Sequence, residues 1–171
     1  MARLFFALWP DDETRIALNN IAQQFKDEKF RHVKKPNLHI TLEFLGEISE
    51  QDQQTLIENV STINGDAFEL VLTRIGWWQQ PGILWIGTNQ IPDELISLVK
   101  SIKKLCKKQG LKTDKRPYKP HVTFARKVKQ VNIPKETFKI FWQANSFVLV
   151  ESVSTEEGVI YQVVKEWPLT C

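Results

Sequence analysis

Short apolar segments alternate with polar ones along this chain, and two spacings can be distinguished among them. Apolar residues recur at helical intervals in three segments, which begin at Asp11, after Ser49 and after Pro92. Between these segments, short β-like runs predict strands near residues 4–9, 38–45, 68–75, 83–86, 122–125, 138–142, 147–153 and 159–165. Strands outnumber helices, and their short connections favour antiparallel pairing. The pattern therefore predicts a mixed α+β fold.

A weak repeat divides the sequence into two units, approximately residues 1–75 and 76–171. In each unit a strand, a helix and a basic loop lead to the pattern His-apolar-Thr-apolar. Residues 39–42 read HITL and residues 121–124 read HVTF. The two copies lie nearly half the chain apart, a longer period than that of a solenoid repeat. The repeat predicts one domain that contains a duplicated lobe.

The two copies of this pattern carry the residue types needed for acid–base chemistry. Residues i and i+2 of a strand share a face, so His39 lies beside Thr41 and His121 beside Thr123. Two imidazoles with pKa values near 6.5 can donate and accept protons at neutral pH. Threonine hydroxyls can bind phosphoryl oxygens, and Arg126 can stabilise charge on phosphorus. This set favours displacement at phosphorus without a metal or cofactor.

Competing interpretations of the histidines fare less well. A single His-x-Thr in a strand is usually structural, but two copies account for two of only three histidines in the chain. The third, His32, lacks the threonine and is interpreted as a surface residue. The sequence contains no HExxH, no Cys/His cluster, no phosphate-binding GxxxxGK[ST] loop, no GxGxxG and no GxSxG. We therefore expect no metal site.

Cysteine content and apolar run length bear on location. Cys106 and Cys171 form no framework and are expected to be reduced thiols of a cytoplasmic protein. The longest apolar run, residues 4–9, is too short to span a membrane or to form a signal-peptide core. A membrane partner is accordingly not expected.

Positive charge is concentrated in one part of the chain. The net charge is only +3, but residues 100–139 hold 14 basic and two acidic residues. Such a run favours a phosphate-rich partner, although a solvated helix face is the alternative. In the loop before His121, the candidate RNA or base contacts are Lys115, Arg116 and Tyr118. Elsewhere in the chain, Trp77 and Trp78 are further candidates for stacking on a base.

Residues 39–46 (HITLEFLG) and 120–126 (PHVTFAR) resemble the paired motifs of the two-histidine phosphoesterase superfamily. Within it, the chain is similar to the RNA 2′,3′-cyclic phosphodiesterases, also called 2′-5′ RNA ligases. Residues 3–8, 84–87 and 118–120 add to the resemblance, which covers nearly the whole chain. It implies two pseudo-symmetric lobes, each an antiparallel sheet with flanking helices, around a central cleft.

The resemblance also implies an activity and residue roles. It implies opening of an RNA 2′,3′-cyclic phosphate to a 2′-phosphomonoester, with reversible ligation as a related reaction. His39 corresponds to the proton donor, His121 to the base that activates water, and Thr41, Thr123 and Arg126 to phosphate binders. The expected protein is a monomer that acts on RNA ends. Two alternatives stay open: another substrate, such as a cyclic nucleotide, an ADP-ribose cyclic phosphate or a 2′-5′ oligoadenylate, or a module that binds RNA or nucleotides without turnover.

Overall fold

The computed structural model describes residues 1–171 and has an α+β fold. Its ten strands are β1 Ala2–Leu8, β2 Arg31–His32, β3 Ile40–Ile48, β4 Phe68–Leu72, β5 Arg74–Trp78, β6 Ile83–Gly87, β7 His121–Arg126, β8 Ile140–Ala144, β9 Ser146–Thr155 and β10 Gly158–Pro168. Its helices are α1 Asp12–Ala22, α2 Glu50–Val60 and α3 Asp93–Lys108, and 3-10 turns occupy Gln23–Phe25 and Lys35–Asn37. None of the helices is long and apolar enough to cross a membrane.

All three predicted helices are present, and each begins where the sequence signals predict. The Asp11 carboxylate accepts a hydrogen bond from the Thr14 N–H at 2.7 Å, and the Ser49 hydroxyl accepts one from the Asp52 N–H at 3.1 Å. These side chains satisfy N–H groups that the first turn leaves without partners. Helix α3 instead follows Pro92 and begins with two acidic residues.

One antiparallel sheet contains most of the strands, in the order β10-β9-β1-β3-β7-β6-β5, with β2 also paired to β7. Its two halves, β10-β9-β1-β3 and β7-β6-β5, meet where Ile40 of β3 pairs with Val122 of β7. Strands β9 and β10 come from the end of the chain yet extend the half that contains β1. The boundaries of the two sequence repeat units stay a prediction.

Two details of the predicted strands are wrong. The single strand expected over residues 68–75 is two strands that belong to different sheets: β4 pairs with β8, and β5 pairs with β6. The chain changes sheets at Thr73, where the buried side chains of β4 end. The basic loop before the first His-x-Thr pattern contains the short strand β2, which pairs with the far end of β7. Both features depend on partners that are distant in sequence, β8 for β4 and β7 for β2.

The core lies on one face of the large sheet. Buried side chains of β1, β3, β6 and β7 pack there against the three helices and the β4–β8 pair. On the opposite face of β1 and β9, Phe5, Ala7, Val148 and Val150 form a smaller buried cluster, against which Trp9 and Tyr161 pack. This smaller cluster forms an apolar floor beside the first His-x-Thr pattern.

Candidate active site

The register between β3 and β7 brings the two His-x-Thr patterns together. Ile40 and Val122 are paired and fully buried on the core face. Extending this antiparallel register by one residue in each direction sets His39 across from Thr123 and Thr41 across from His121. All four polar side chains therefore lie on the face opposite the core, on adjoining strands from the two halves of the sheet.

His39 is oriented by its own loop. Its Nδ1 lies 2.7 Å from the carbonyl oxygen of Asn37. A carbonyl only accepts, so Nδ1 carries the hydrogen and donates it. Its Nε2 therefore has a lone pair in the neutral ring and accepts from the Thr41 hydroxyl at 2.9 Å. The backbone thus fixes the tautomer and aims Nε2 at the cleft.

Aromatic side chains enclose the His39 ring. The ring centroids of Phe5, Tyr161 and Trp9 lie 4.9, 5.3 and 5.9 Å from it. Burial is the main reason that the pKa of His39 falls from 6.5 to about 4, opposed by the hydrogen bond to Asn37. Nearby positive charge lowers it further. In the free protein at pH 7 this imidazole is neutral.

His121 repeats the same backbone arrangement in a different setting. Its Nδ1 donates to the carbonyl oxygen of Lys119 at 2.7 Å, again two residues earlier in the chain. Trp78 meets the ring edge to face at 4.7 Å, and Trp85 lies 6.3 Å away. Burial again lowers the pKa, and the charges of Arg126 and Arg116 lower it further.

Arg126 supplies positive charge beside both rings. It lies exposed at the end of β7 and forms no salt bridge. Its charge lowers the pKa of both His39 and His121. A guanidinium with free donors at this position can bind an anion held between the two imidazoles. Thr123 lies half-buried on the same strand, paired with Trp85 of β6.

The predicted RNA or base contacts divide into two groups. A cavity of about 530 Å³ opens beside Thr41 and His121, and Trp78, Arg116 and Tyr118 line it. Lys115 and Trp77 do not line it. The Trp77 indole instead donates to the carbonyl of Val128 at 2.9 Å, among partly buried residues that pack on the core.

Tyr118 contacts the first motif directly. Its hydroxyl donates to the carbonyl oxygen of Thr41 at 3.0 Å, and burial raises its pKa. This hydrogen bond joins the basic loop before the second motif to the strand that bears the first. Tyr118 therefore has a structural contact as well as a place in the cavity wall.

Several side chains beside the cleft were not predicted from the sequence. Arg15 donates through Nη1 to the carbonyl oxygens of Lys35 and Leu38, at 2.8 and 3.0 Å. Its guanidinium also lies over the Trp9 ring, 5.0 Å from the centroid. Arg15 thereby fixes the turn that presents His39. Arginine on a helix surface gives no local signal of such a role.

Glu43 was also missed, although it left a signal in the sequence. It is the one acid within the apolar run that follows His39, and it is only 2% exposed. Burial raises its pKa, opposed by the hydrogen bond from the Asp114 N–H and by the charge of Lys103. An acidic residue in a buried strand indicates a dedicated partner.

No group of three or more His, Cys, Asp or Glu side chains in the structure is arranged to hold a metal ion.

The fold and the paired motifs define the class of protein. The family model of LigT-like phosphoesterases matches this chain twice, over residues 8–85 and 86–161. The chain therefore belongs to that family. The RNA 2′,3′-cyclic phosphodiesterase of Escherichia coli K12 is 32% identical over 170 residues, which cover 98% of this chain and 97% of the relative. This chain is also 31% identical to the enzyme of the same name from Archaeoglobus fulgidus, and the match covers 94% of this chain and 96% of that relative.

Solved structures agree with this family assignment. The crystal structure of E. coli LigT complexed with 3′-AMP is 31% identical to this chain and superposes with a TM-score of 0.93 over 99% of both chains. The predicted family and the predicted α+β class are confirmed.

Proposed function

We propose that this protein opens the 2′,3′-cyclic phosphate at RNA ends to leave a 2′-phosphomonoester. The observation that carries the proposal is the matched pair of imidazoles. Each has its Nδ1 bonded to a backbone carbonyl two residues earlier, which leaves Nε2 for proton transfer at the cleft. The full-length relatives named RNA 2′,3′-cyclic phosphodiesterase support the same substrate class.

The reaction assigns opposite tasks to the two rings. Nε2 of His121 takes a proton from water as the water oxygen forms a bond to phosphorus. The bond between phosphorus and O3′ breaks, and Nε2–H of His39 gives its proton to O3′. The products are a 3′-hydroxyl and a 2′-phosphomonoester, and both rings exchange protons with solvent before the next turnover. In the reverse, ligase-like direction the two roles are exchanged.

The remaining polar groups bind the phosphoryl oxygens. The hydroxyls of Thr41 and Thr123 lie on the same face as the imidazoles and can donate to non-bridging oxygens. The guanidinium of Arg126 stabilises the charge that develops on them. Charge stabilisation of this kind and in-line positioning supply most of the rate enhancement in phosphoryl transfer, and no step here calls for a metal.

The RNA partner is supported by the charge of the cleft surroundings. The 40 residues from 100 to 139 include 14 of the 23 lysines and arginines. Nine of these 14 lie on helix α3 and on the loop that leads to His121, and the loop borders the large cavity. We also propose, as the sequence predicts, that the protein is a monomer and lies in the cytoplasm.

The pH dependence of turnover follows from the two depressed pKa values. The proposed donor, His39, has a pKa of about 4, and the pKa of the proposed base, His121, lies below 6.5. The reactive form of the enzyme has His39 protonated and His121 neutral, and the fraction of molecules in this form is largest between the two pKa values. Since kcat/KM reports the ionisations of the free enzyme, it should be highest between pH 4 and 6.5. Bound phosphate raises both pKa values, so kcat should be highest at a higher pH. A pH–rate series tests this, and a kcat/KM maximum above pH 7 would contradict it.

A direct assay tests the proposed activity. The protein is incubated with a 2′,3′-cyclic nucleotide and with an RNA oligonucleotide that ends in a 2′,3′-cyclic phosphate, each in excess EDTA. Phosphorus NMR then distinguishes 2′- from 3′-phosphomonoester. A 2′-phosphate product in EDTA is the expected result. Binding without turnover would indicate a binding module, and a 3′-phosphate product would reverse the predicted direction of ring opening.

A further inference from the structure

The large cavity beside the motifs has a wall that the phosphoesterase chemistry does not use. The two imidazoles, the two threonines and Arg126 account for the reacting phosphate. The cavity of about 530 Å³ extends from Thr41 and His121 towards the loop before the second motif. Its far wall contains Arg116, whose side chain is 86% exposed.

The loop that bears Arg116 is anchored to the motif strand by a buried acid. Glu43 Oε1 accepts a hydrogen bond from the Asp114 N–H at 2.6 Å. Lys103 of α3 lies 3.6 Å from the other Glu43 oxygen and donates to the Asp114 carbonyl. Since Glu43 lies two residues after Thr41, these contacts fix the position of the loop relative to the first motif.

Asp114 then orients the guanidinium of Arg116. The Asp114 carboxylate accepts hydrogen bonds from Nε of Arg116 at 3.0 and 3.1 Å and from Nη2 at 2.6 Å. It also accepts one from the backbone N–H of Arg116 at 2.9 Å. The pair lowers the pKa of Asp114 to about 2 and raises that of Arg116. Guanidinium has five N–H donors, and this contact uses one edge of it. The two hydrogens on Nη1 and one on Nη2 remain for a second anion.

The position of this second anion relative to the first suggests what it is. Arg116 is close enough to His121 for its charge to lower the imidazole pKa. Both residues line the same cavity, which is also bordered by Trp78 and Phe44, whose rings can contact a nucleobase. A nucleic acid strand has a phosphate on each side of a nucleoside, so a cavity lined by a phosphate site, aromatic rings and a second cation suits such a unit.

We propose that Arg116 binds the phosphodiester on the 5′ side of the terminal nucleoside. This inference rests on the proposed function and sharpens it. The cavity is then a subsite for a polynucleotide chain, and it favours RNA ends over free cyclic mononucleotides. Asp114 acts as a positioning residue, and Glu43 holds the loop in place.

The test compares substrates with and without the upstream phosphate. Wild type and Arg116→Ala are assayed with a nucleoside 2′,3′-cyclic phosphate and with a dinucleotide that ends in the same group. The expected result is a loss of kcat/KM of roughly 10- to 100-fold for the dinucleotide and little change for the mononucleotide. Lys112→Ala is the matched control, since it removes an exposed cation of the same loop outside the cavity wall. Arg116→Lys should restore only part of the loss.

A binding measurement separates this inference from the proposed function. Titration calorimetry compares the affinity of each variant for a nucleoside 2′-phosphate and for a dinucleotide that ends in a 2′-phosphate, with no turnover required. A loss in Arg116→Ala that is restricted to the dinucleotide supports the subsite even if the assay shows no hydrolysis. Equal losses for both ligands, no loss for either, or an equal loss in Lys112→Ala would overturn it.

Discussion

The two sides of the cleft are built on the same backbone arrangement and differ in their surroundings. On both sides Nδ1 of the histidine donates to the carbonyl two residues earlier at 2.7 Å. His39 is enclosed by Phe5, Trp9 and Tyr161, and its pKa falls to about 4. His121 borders two cavities, of about 530 and 230 Å³. The motif orients each ring, whereas the packing around it decides its proton affinity.

The largest expected effect comes from removing either ring. His39→Gln and His121→Gln should each lower kcat by about 10²–10⁴-fold, because each removes one proton transfer from the same step. The double variant should lose much less than the product of the two losses. Steady-state kinetics on a 2′,3′-cyclic nucleotide measure this, with far-ultraviolet circular dichroism to confirm folding. His32→Gln, an exposed histidine outside the cleft, serves as control. Full activity in either cleft variant would count against the two-histidine mechanism.

The enclosed side should also reduce stability in acid. The folded-state pKa of His39 is about 4, and an unfolded histidine titrates near 6.5. Below pH 6.5 the unfolded chain therefore binds a proton that the folded chain does not, and the free energy of unfolding falls as pH drops towards 4. Across that window the loss is about 3 kcal/mol, and it should be absent in His39→Gln. Urea unfolding at several pH values compares the two proteins, and identical pH dependence would disprove the assignment.

Opening the aromatic enclosure should make the two sides more alike. Trp9→Ala removes the ring stacked on His39 and admits water, so the pKa of His39 should rise by roughly one unit, which corresponds to about 1.4 kcal/mol. Trp85→Ala, on the other side, should leave the His39 pKa where it is. NMR titration of the imidazole protons provides the measurement. An unchanged pKa in Trp9→Ala would mean that other groups exclude water from His39.

The smallest effect is expected at the hydrogen bond that joins the two sides. Tyr118→Phe removes the donor to the Thr41 carbonyl and should lower the free energy of unfolding by about 1 kcal/mol. Chemical denaturation detects a change of this size. Val159→Ala on β10 offers a comparison away from this contact. An unaltered stability in Tyr118→Phe would show that water replaces the phenol.

Much of the fold and the site could be predicted from local patterns. The helical spacing after Asp11, Ser49 and Pro92 produced three real helices, because caps and apolar faces are local properties. The His-x-Thr copies indicated a shared face, because strand periodicity fixes it. The change of sheets at Thr73 and the pairing of β2 with β7 could not be predicted, because β4 and β2 pair with strands that are distant in sequence, β8 and β7.

The sequence by itself determined the α+β class, the family and which side chains stand on a polar strand face. Only the tertiary structure decided that Ile40 pairs with Val122 and thereby sets each histidine across from the other motif's threonine. Only the tertiary structure also decided the surroundings of each ring. Phe5 of β1 and Tyr161 of β10 lie around His39, whereas His121 lies beside an open cavity. Periodicity is a property of neighbouring residues, whereas register and burial depend on segments that meet only after the chain has folded.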